Sequence, residues 1–165
     1  MTTRLLLIAD THVPKRAKRL PDAVLRAVDD ADIVIHAGDW VDLATLDLLE
    51  SRAPVMHGVY GNNDGPDLRG RLPEIARLTV EQVEVAVIHE TGQAQRREER
   101  MDAAFPGVDL LIFGHSHIPW DTVAPSGMRL LNPGSPTDRR RQPVCTMMWV
   151  TIEGRRVDAT LVPVP

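Results

Sequence analysis

Four of the six histidines in the 165-residue sequence stand where an apolar run ends, and carboxylates or a carboxamide stand at matching ends elsewhere. Gly114-His115-Ser116-His117 follows the run 109–113. Two imidazoles two residues apart at a strand end can both face one point, and Gly114 permits the sharp turn before them. Asp10 and His12 follow the run 4–9 and share a face for the same reason. Asp39 stands after the run 32–36 and Gly38, Asn62 lies in the turn 61–65, and His89 ends the run 83–88. Each fragment has a plainer reading by itself: Asp10 as a helix cap, Asn62 as part of a tight turn, His115 and His117 as solvated rings. Taken together, these donors occupy the crevice beyond the carboxyl ends of strands, where α/β sheets gather functional groups, and metal binding is the chemistry they suit. His36, inside its run, reads as a core histidine or one that orients a neighbouring ligand, and His57 as structural.

The elements that must position these ends follow from periodicity. Apolar runs at 4–9, 32–36 and 54–60 alternate with helical patterns at 21–28 and 42–50, and 66–73 reads as a Pro/Gly/Arg-rich loop. Strands 75–80 and 83–88 form a hairpin around Glu81 and Gln82. Residues 93–104 read as a charged helix with a solvated face and Met101 and Ala104 turned inward. A strand at 109–113 precedes a hairpin of 122–123 with 128–131, a turn at 132–136, and an antiparallel pair at 144–152 and 155–162. Cys145, Met147 and Trp149 share the core face of that pair, and the tail 163–165 carries no structural demand. The basic residues of 14–19 and Arg139 to Arg141 read as solvated runs, with Arg139 also a candidate for meeting a substrate phosphate.

A hydrophobic share of 43% with 25% charged residues suits one globular domain spanning residues 1–165. The net charge of −4 argues against general nucleic-acid binding. A single cysteine allows no internal disulfide and fits a reducing, cytoplasmic location. The N-terminal run ends in an acid, unlike a signal peptide, and no run approaches the roughly 20 apolar residues that cross a bilayer.

Asp10-x-His12, Gly38-Asp39, Gly61-Asn62-x-Asp64, His89 and Gly114-His115-x-His117 resemble, in order and spacing, the calcineurin-like metallophosphoesterases. Chain size, the Asn-Asp form of the third motif and Asn132-Pro133-Gly134-Ser135 are most similar to the small single-domain phosphodiesterases of bacteria and archaea. The resemblance covers residues 10 to about 135 and implies an α/β fold, a four-layer α/β/β/α sandwich of two mixed sheets flanked by helices. It implies two divalent metal ions, one held by Asp10, His12, Asp39 and His117, the other by Asp39, Asn62, His89 and His115, with Asp39 bridging. The oxygen and nitrogen donors, with no thiolate, suit Mn²⁺ foremost, or Ni²⁺, Zn²⁺, Fe²⁺ or Co²⁺. The implied reaction is hydrolysis of a small or exposed phosphodiester by water activated between the ions. Phosphomonoester hydrolysis and a non-catalytic scaffold, as in the related subunit of the retromer coat, are the rival readings. Asn63 and Asp64 fall at the catalytic motif, Asn63 also as a substrate contact and Asp64 mainly as an orienting group. Larger family members carry histidine where this chain has Asn63, which donates a hydrogen bond but cannot protonate an alkoxide, so good leaving groups are expected. Glu90 stands where the family usually has glycine. Self-association into a homo-oligomer is compatible with an exposed sheet edge.

Overall fold

The computed structural model describes residues 1–165. Two five-stranded mixed sheets lie face to face. In the first, β1 (Thr2–Ile8) is parallel to β2 (Ile33–His36), which is parallel to β3 (Met56–Gly58); β9 (Cys145–Glu153) and β10 (Arg156–Val164) extend it antiparallel on the other side. In the second, β5 (Val83–Ile88), β6 (Leu110–Ile112) and β8 (Arg129–Asn132) run parallel, with β4 (Ile75–Val80) and β7 (Trp120–Val123) antiparallel at the edges. Helices α1 (Asp22–Asp30) and α2 (Leu43–Arg52) cover the first sheet, and α4 (Arg97–Ala104) covers the second, so the outer layers are thin. The short α3 (Pro66–Arg69) follows β3.

Strand periodicity explains this layering. Along β1, Leu5 and Leu7 point between the sheets while Leu6 and Ile8 point to the helices. Val85 and Val87 of β5 likewise face the sheet interface, and Ala86 and Ile88 face α4. Both faces of these strands are covered, which is why they read as continuous apolar runs rather than alternating ones. In β9 the residues Met148, Val150 and Ile152 take the inter-sheet face, and Met147 packs toward the helices with Cys145 and Trp149 partly buried beside it.

Several elements depart from the periodic reading. The stretch after β3 contains a helical turn because Pro66 supplies a preset φ at its first position. The charged helix begins at Arg97 rather than 93, since Arg96 is left-handed at φ 54° and Arg100 binds the carbonyls of Thr91, Gln93 and Gln95, coiling that stretch into a loop. Ala104 is exposed, whereas Arg97 is buried. The tail is not idle: Val164 is buried and pairs with Cys145 in the sheet.

Arg97 has no carboxylate ion partner; its guanidinium lies 4.8 Å from the centre of the Phe113 ring and 4.5 Å from that of Trp120. Its Nε donates to Thr91 Oγ1 at 2.8 Å, joining α4 to the loop that carries His89. A desolvated cation over aromatic rings is worth up to ~2 kcal/mol. Arg97→Met is therefore expected to lower the melting temperature by about 4–8 °C, and an unchanged melting curve would show the stack to be neutral.

Candidate metal centre

Five of the six parallel strands bring the candidate donors to one end of the molecule. Asp10 and His12 follow β1, Asp39 follows β2, the turn 61–64 follows β3, His89 follows β5, and His115 and His117 follow β6. Two groups of donors converge there: Asp10 with His12 and His117, and Asp39 with His89 and His115, the donor atoms of each group within 4.8 Å of one another. Asp39 Oδ2 stands 3.4 Å from His12 Nε2 and 3.4 Å from His89 Nε2, midway between the groups. Asn62 Oδ1 joins the second group, 3.0 Å from His89 Nε2 and 3.1 Å from His115 Nδ1. The fold thus brings all seven sequence-predicted ligands into one region.

The backbone at these positions is strained. Asp10, His12, Asp39, His115 and His117 all have positive φ, between 47° and 76°, a region non-glycine residues enter rarely and at a cost. Their surroundings enforce it. The Asp64 carboxylate accepts from the backbone N–H groups of Asp39 (2.9 Å), Gly61 (2.7 Å) and Val41 (2.7 Å), so it shapes the loop. His36 accepts the Gly38 N–H on Nδ1 and therefore donates from Nε2 to Thr11 Oγ1, while its ring stacks on Trp40 at 3.6 Å. Burial holds its pKa well below the ordinary histidine value, so it stays neutral and is not aimed at the donors. Gly61 is obligatory: a Cβ there would lie 2.1 Å from Asp39 Oδ1.

Sequence reasoning left the loop after β8 open between a plain turn and a wall of the site. The structure makes it a buttress. Ser135 Oγ donates to the Asp10 carbonyl (2.8 Å), Thr137 Oγ1 to the Thr11 carbonyl (2.6 Å), and Asn132 Nδ2 to the Gly114 carbonyl (3.2 Å). The Asp138 carbonyl accepts from His117 Nδ1 at 2.6 Å, and the Ala37 carbonyl from His89 Nδ1 at 2.7 Å, which leaves both Nε2 atoms to the site. Only the Asn-Pro-Gly-Ser turn signal hinted at these supports. Asn63 spends its N–H (2.9 Å) and its Nδ2 (2.8 Å) on the two carboxylate oxygens of Asp39. Arg139 is exposed, and its Nη1 donates to the Gln142 carbonyl at 2.7 Å. Glu90 Oε1 lies 3.5 Å from His115 Nε2 at the mouth.

Three buried donor atoms, Asp10 Oδ1, His12 Nε2 and His117 Nε2, have no hydrogen-bond partner. Orphaned buried polar atoms cost stability, and these three are one donor group. Cations with bonds of ~2.1 Å hold their ligands roughly 3–3.5 Å apart, close to the 3.4–3.9 Å separations among these carboxylates and imidazoles. The residues fit a pair of divalent ions. Without them, burial raises the Asp10 pKa to about 7, partly offset by His89, and lowers that of His117 to about 4. His89 shifts upward despite its burial, because Asp39 and Asp10 favour its protonated form.

A family model described as the calcineurin-like phosphoesterase superfamily domain matches residues 3–155. A probable metallophosphoesterase of Methanothermobacter thermautotrophicus is 37% identical over 161 residues, covering 94% of this chain and 90% of the relative. The solution structure of a Thermotoga maritima protein superposes with a TM-score of 0.78 at 37% identity, over 98% of this chain and 99% of that one. Vps29 of Chaetomium thermophilum, at 19% identity, shares the fold with a TM-score of 0.80, over 99% of this chain and all of its own.

Two outcomes are expected of metal titrations. Protons on Asp10 and on His89 must leave before cations bind, so apparent affinity falls as pH drops below about 7, by ~10-fold per pH unit for each proton released. Calorimetry in buffers of different ionisation enthalpy reads the released protons; pH-independent binding would contradict a protonated Asp10. Asp64→Asn places an N–H₂ against backbone donors and is expected to weaken metal binding by about 10–100-fold in a folded protein. Unchanged affinity in that variant would remove Asp64 from any positioning role.

Proposed function

The chain belongs to the calcineurin-like phosphoesterase superfamily, and from that premise we propose that it is a two-metal phosphodiesterase acting on small or exposed phosphodiesters. The observation that supports this most is the position of Asp39, whose Oδ2 is equidistant from the two histidines that head separate donor groups. Asp10, His12, Asp39 and His117 would hold one ion, and Asp39, Asn62, His89 and His115 the other. When bound, such ions supply Lewis acidity, lowering the pKa of water toward neutrality and offsetting charge on the phosphoryl oxygens. The donors suit Mn²⁺ and its neighbours in the first transition series.

The chain's own residues do the rest by holding geometry. Hydrogen bonds from Nδ1 of His89 and His117 to backbone carbonyls fix both rings with Nε2 toward the site, so no rotamer search precedes binding. Asn63 keeps the Asp39 carboxylate in place and sits, exposed, at the opening. Turned toward substrate, its amide would donate a hydrogen bond to a phosphoryl oxygen and could not deliver a proton to the departing oxygen. Substrates with stable leaving groups follow from that chemistry.

Metal-stripped protein, reloaded with Mn²⁺, Ni²⁺ or Zn²⁺, is expected to hydrolyse bis-p-nitrophenyl phosphate faster than p-nitrophenyl phosphate. Asp39→Asn should lose at least about 100-fold of that activity, since one carboxylate serves both ions. A faster monoester would make the protein a phosphatase. No turnover with two ions bound per chain would leave a non-catalytic binding role.

A further inference from the structure

An open cleft of about 510 Å³ leads away from the Asn62–His89 side of the metal centre, and both residues belong to its lining. Its volume lies within the range of small-molecule sites. One wall is the Tyr60 ring, backed by the Arg69 guanidinium 4.5 Å from its centre. Arg69 is fixed there by Nε donating to the Asp64 carbonyl at 2.8 Å. The facing wall is apolar: Ile75 and Ile88, which are cross-strand partners in β4 and β5, together with Phe105. Ile75 is 44% exposed, so its side chain is open to a partner in the cleft. The Tyr60 N–H donates to the Pro73 carbonyl at 3.1 Å, tying the tyrosine to the segment that leads into β4, so the cleft is preformed. Its rim carries the carboxylates of Glu74 and Glu90.

We propose that this cleft is a substrate subsite that takes an uncharged aromatic ester group, an aryl ring or the base of a nucleoside, while the phosphate lies at the metal centre; the assignment rests on the phosphoesterase reading. Three features define the occupant. The cleft is continuous with the residues proposed to hold the second ion, so whatever fills it is attached to the phosphorus. Its walls are a tyrosine ring and aliphatic side chains, which gain from a flat apolar partner through burial and stacking. Its rim has two carboxylates against the single guanidinium of Arg69, so a further phosphate on the organic group is repelled whereas an uncharged or amino-bearing ring is accepted. The rim carboxylates accept hydrogen bonds and thereby suit amino or hydroxyl substituents.

Binding distinguishes this from the hydrolase reading. Metal-loaded protein is titrated with phenylphosphonate and with methylphosphonate, which cannot be hydrolysed, and the expected ratio of affinities is about 10 in favour of phenyl, the worth of one partly buried ring. Ile75→Ser, at an exposed edge-strand position, and Tyr60→Ser each reduce that ratio toward 1 with little change for methylphosphonate. In turnover, the same variants raise KM for bis-p-nitrophenyl phosphate and for thymidine 5′-p-nitrophenyl phosphate about fivefold or more. A larger effect on the thymidine ester identifies a nucleoside subsite, and a larger effect on the bis-aryl ester a simple aryl one. Equal affinities for the two phosphonates in the wild type, or an unchanged KM for both esters in the variants, overturn the subsite while leaving phosphodiester hydrolysis intact. A phenyl preference in a protein that hydrolyses nothing keeps the cleft and removes the hydrolase.

Discussion

One carboxylate, that of Asp39, must be held between two imidazoles that belong to different sheets. Its Oδ2 faces His12, which follows β1 of the first sheet, and His89, which follows β5 of the second. No local sequence preference arranges this. It requires that two sheets, packed through Leu5, Leu7, Ile35, Val85, Val87 and Ile112, bring the carboxyl ends of their parallel strands to the same edge. The inter-sheet core therefore does more than stabilise the chain. It sets the separation across which the donors meet, and a shift in sheet packing would be felt first at Asp39.

Holding that carboxylate has a conformational cost, visible in the five donor residues at positive φ. The molecule compensates with hydrogen bonds that are mostly from side chain to backbone. Asp64 gathers three amides around the Asp39 loop, His36 fixes Gly38, and Ser135 and Thr137 hold the carbonyls of Asp10 and Thr11. Such supports explain how side chains on loops become as rigid as side chains on strands. They also divide the conspicuous polar residues by role: Asp64 and His36 shape the backbone, while Asp10, Asp39 and the outer histidines present atoms to the site.

Electrostatics and packing then oppose each other in a useful way. Full burial raises the cost of an ionised Asp10, and it leaves Asp10 Oδ1, His12 Nε2 and His117 Nε2 without partners. A protein stabilised only as an apolar fold would not keep three orphaned donors in its interior. Divalent cations held there would relieve both penalties at once, neutralising the carboxylates and satisfying the imidazole lone pairs. Metal binding and local stability are in this way the same free energy read from two sides. The buried Arg97, wedged between Phe113 and Trp120, steadies the loop beyond His89 from behind without a close ion pair.

The sequence by itself determined which donors exist and where along the chain they stand. Apolar runs of strand length and the glycines after them are local signals, and they placed Asp10, His12, Asp39, Asn62, His89, His115 and His117 at strand ends; the fold of two mixed sheets and outer helices followed only from the family resemblance of those motifs. Local signals failed where a distant partner overrode propensity. The charged segment 93–104 reads as helical throughout, yet Arg100 draws the carbonyls of Gln93 and Gln95 into a loop, and Arg97, read as part of a solvated face, is buried by two aromatic rings from elsewhere. The resemblance implied how the donors divide into two groups, but only the tertiary structure decided which imidazole nitrogen faces inward, and that Asn63 is engaged with Asp39 and Arg139 donates to Gln142. The reason is sequence separation. The His115 N–H meets Asp10 Oδ2 across 105 residues and Ser135 meets the Asp10 carbonyl across 125, and contacts that remote leave no periodic trace in the chain.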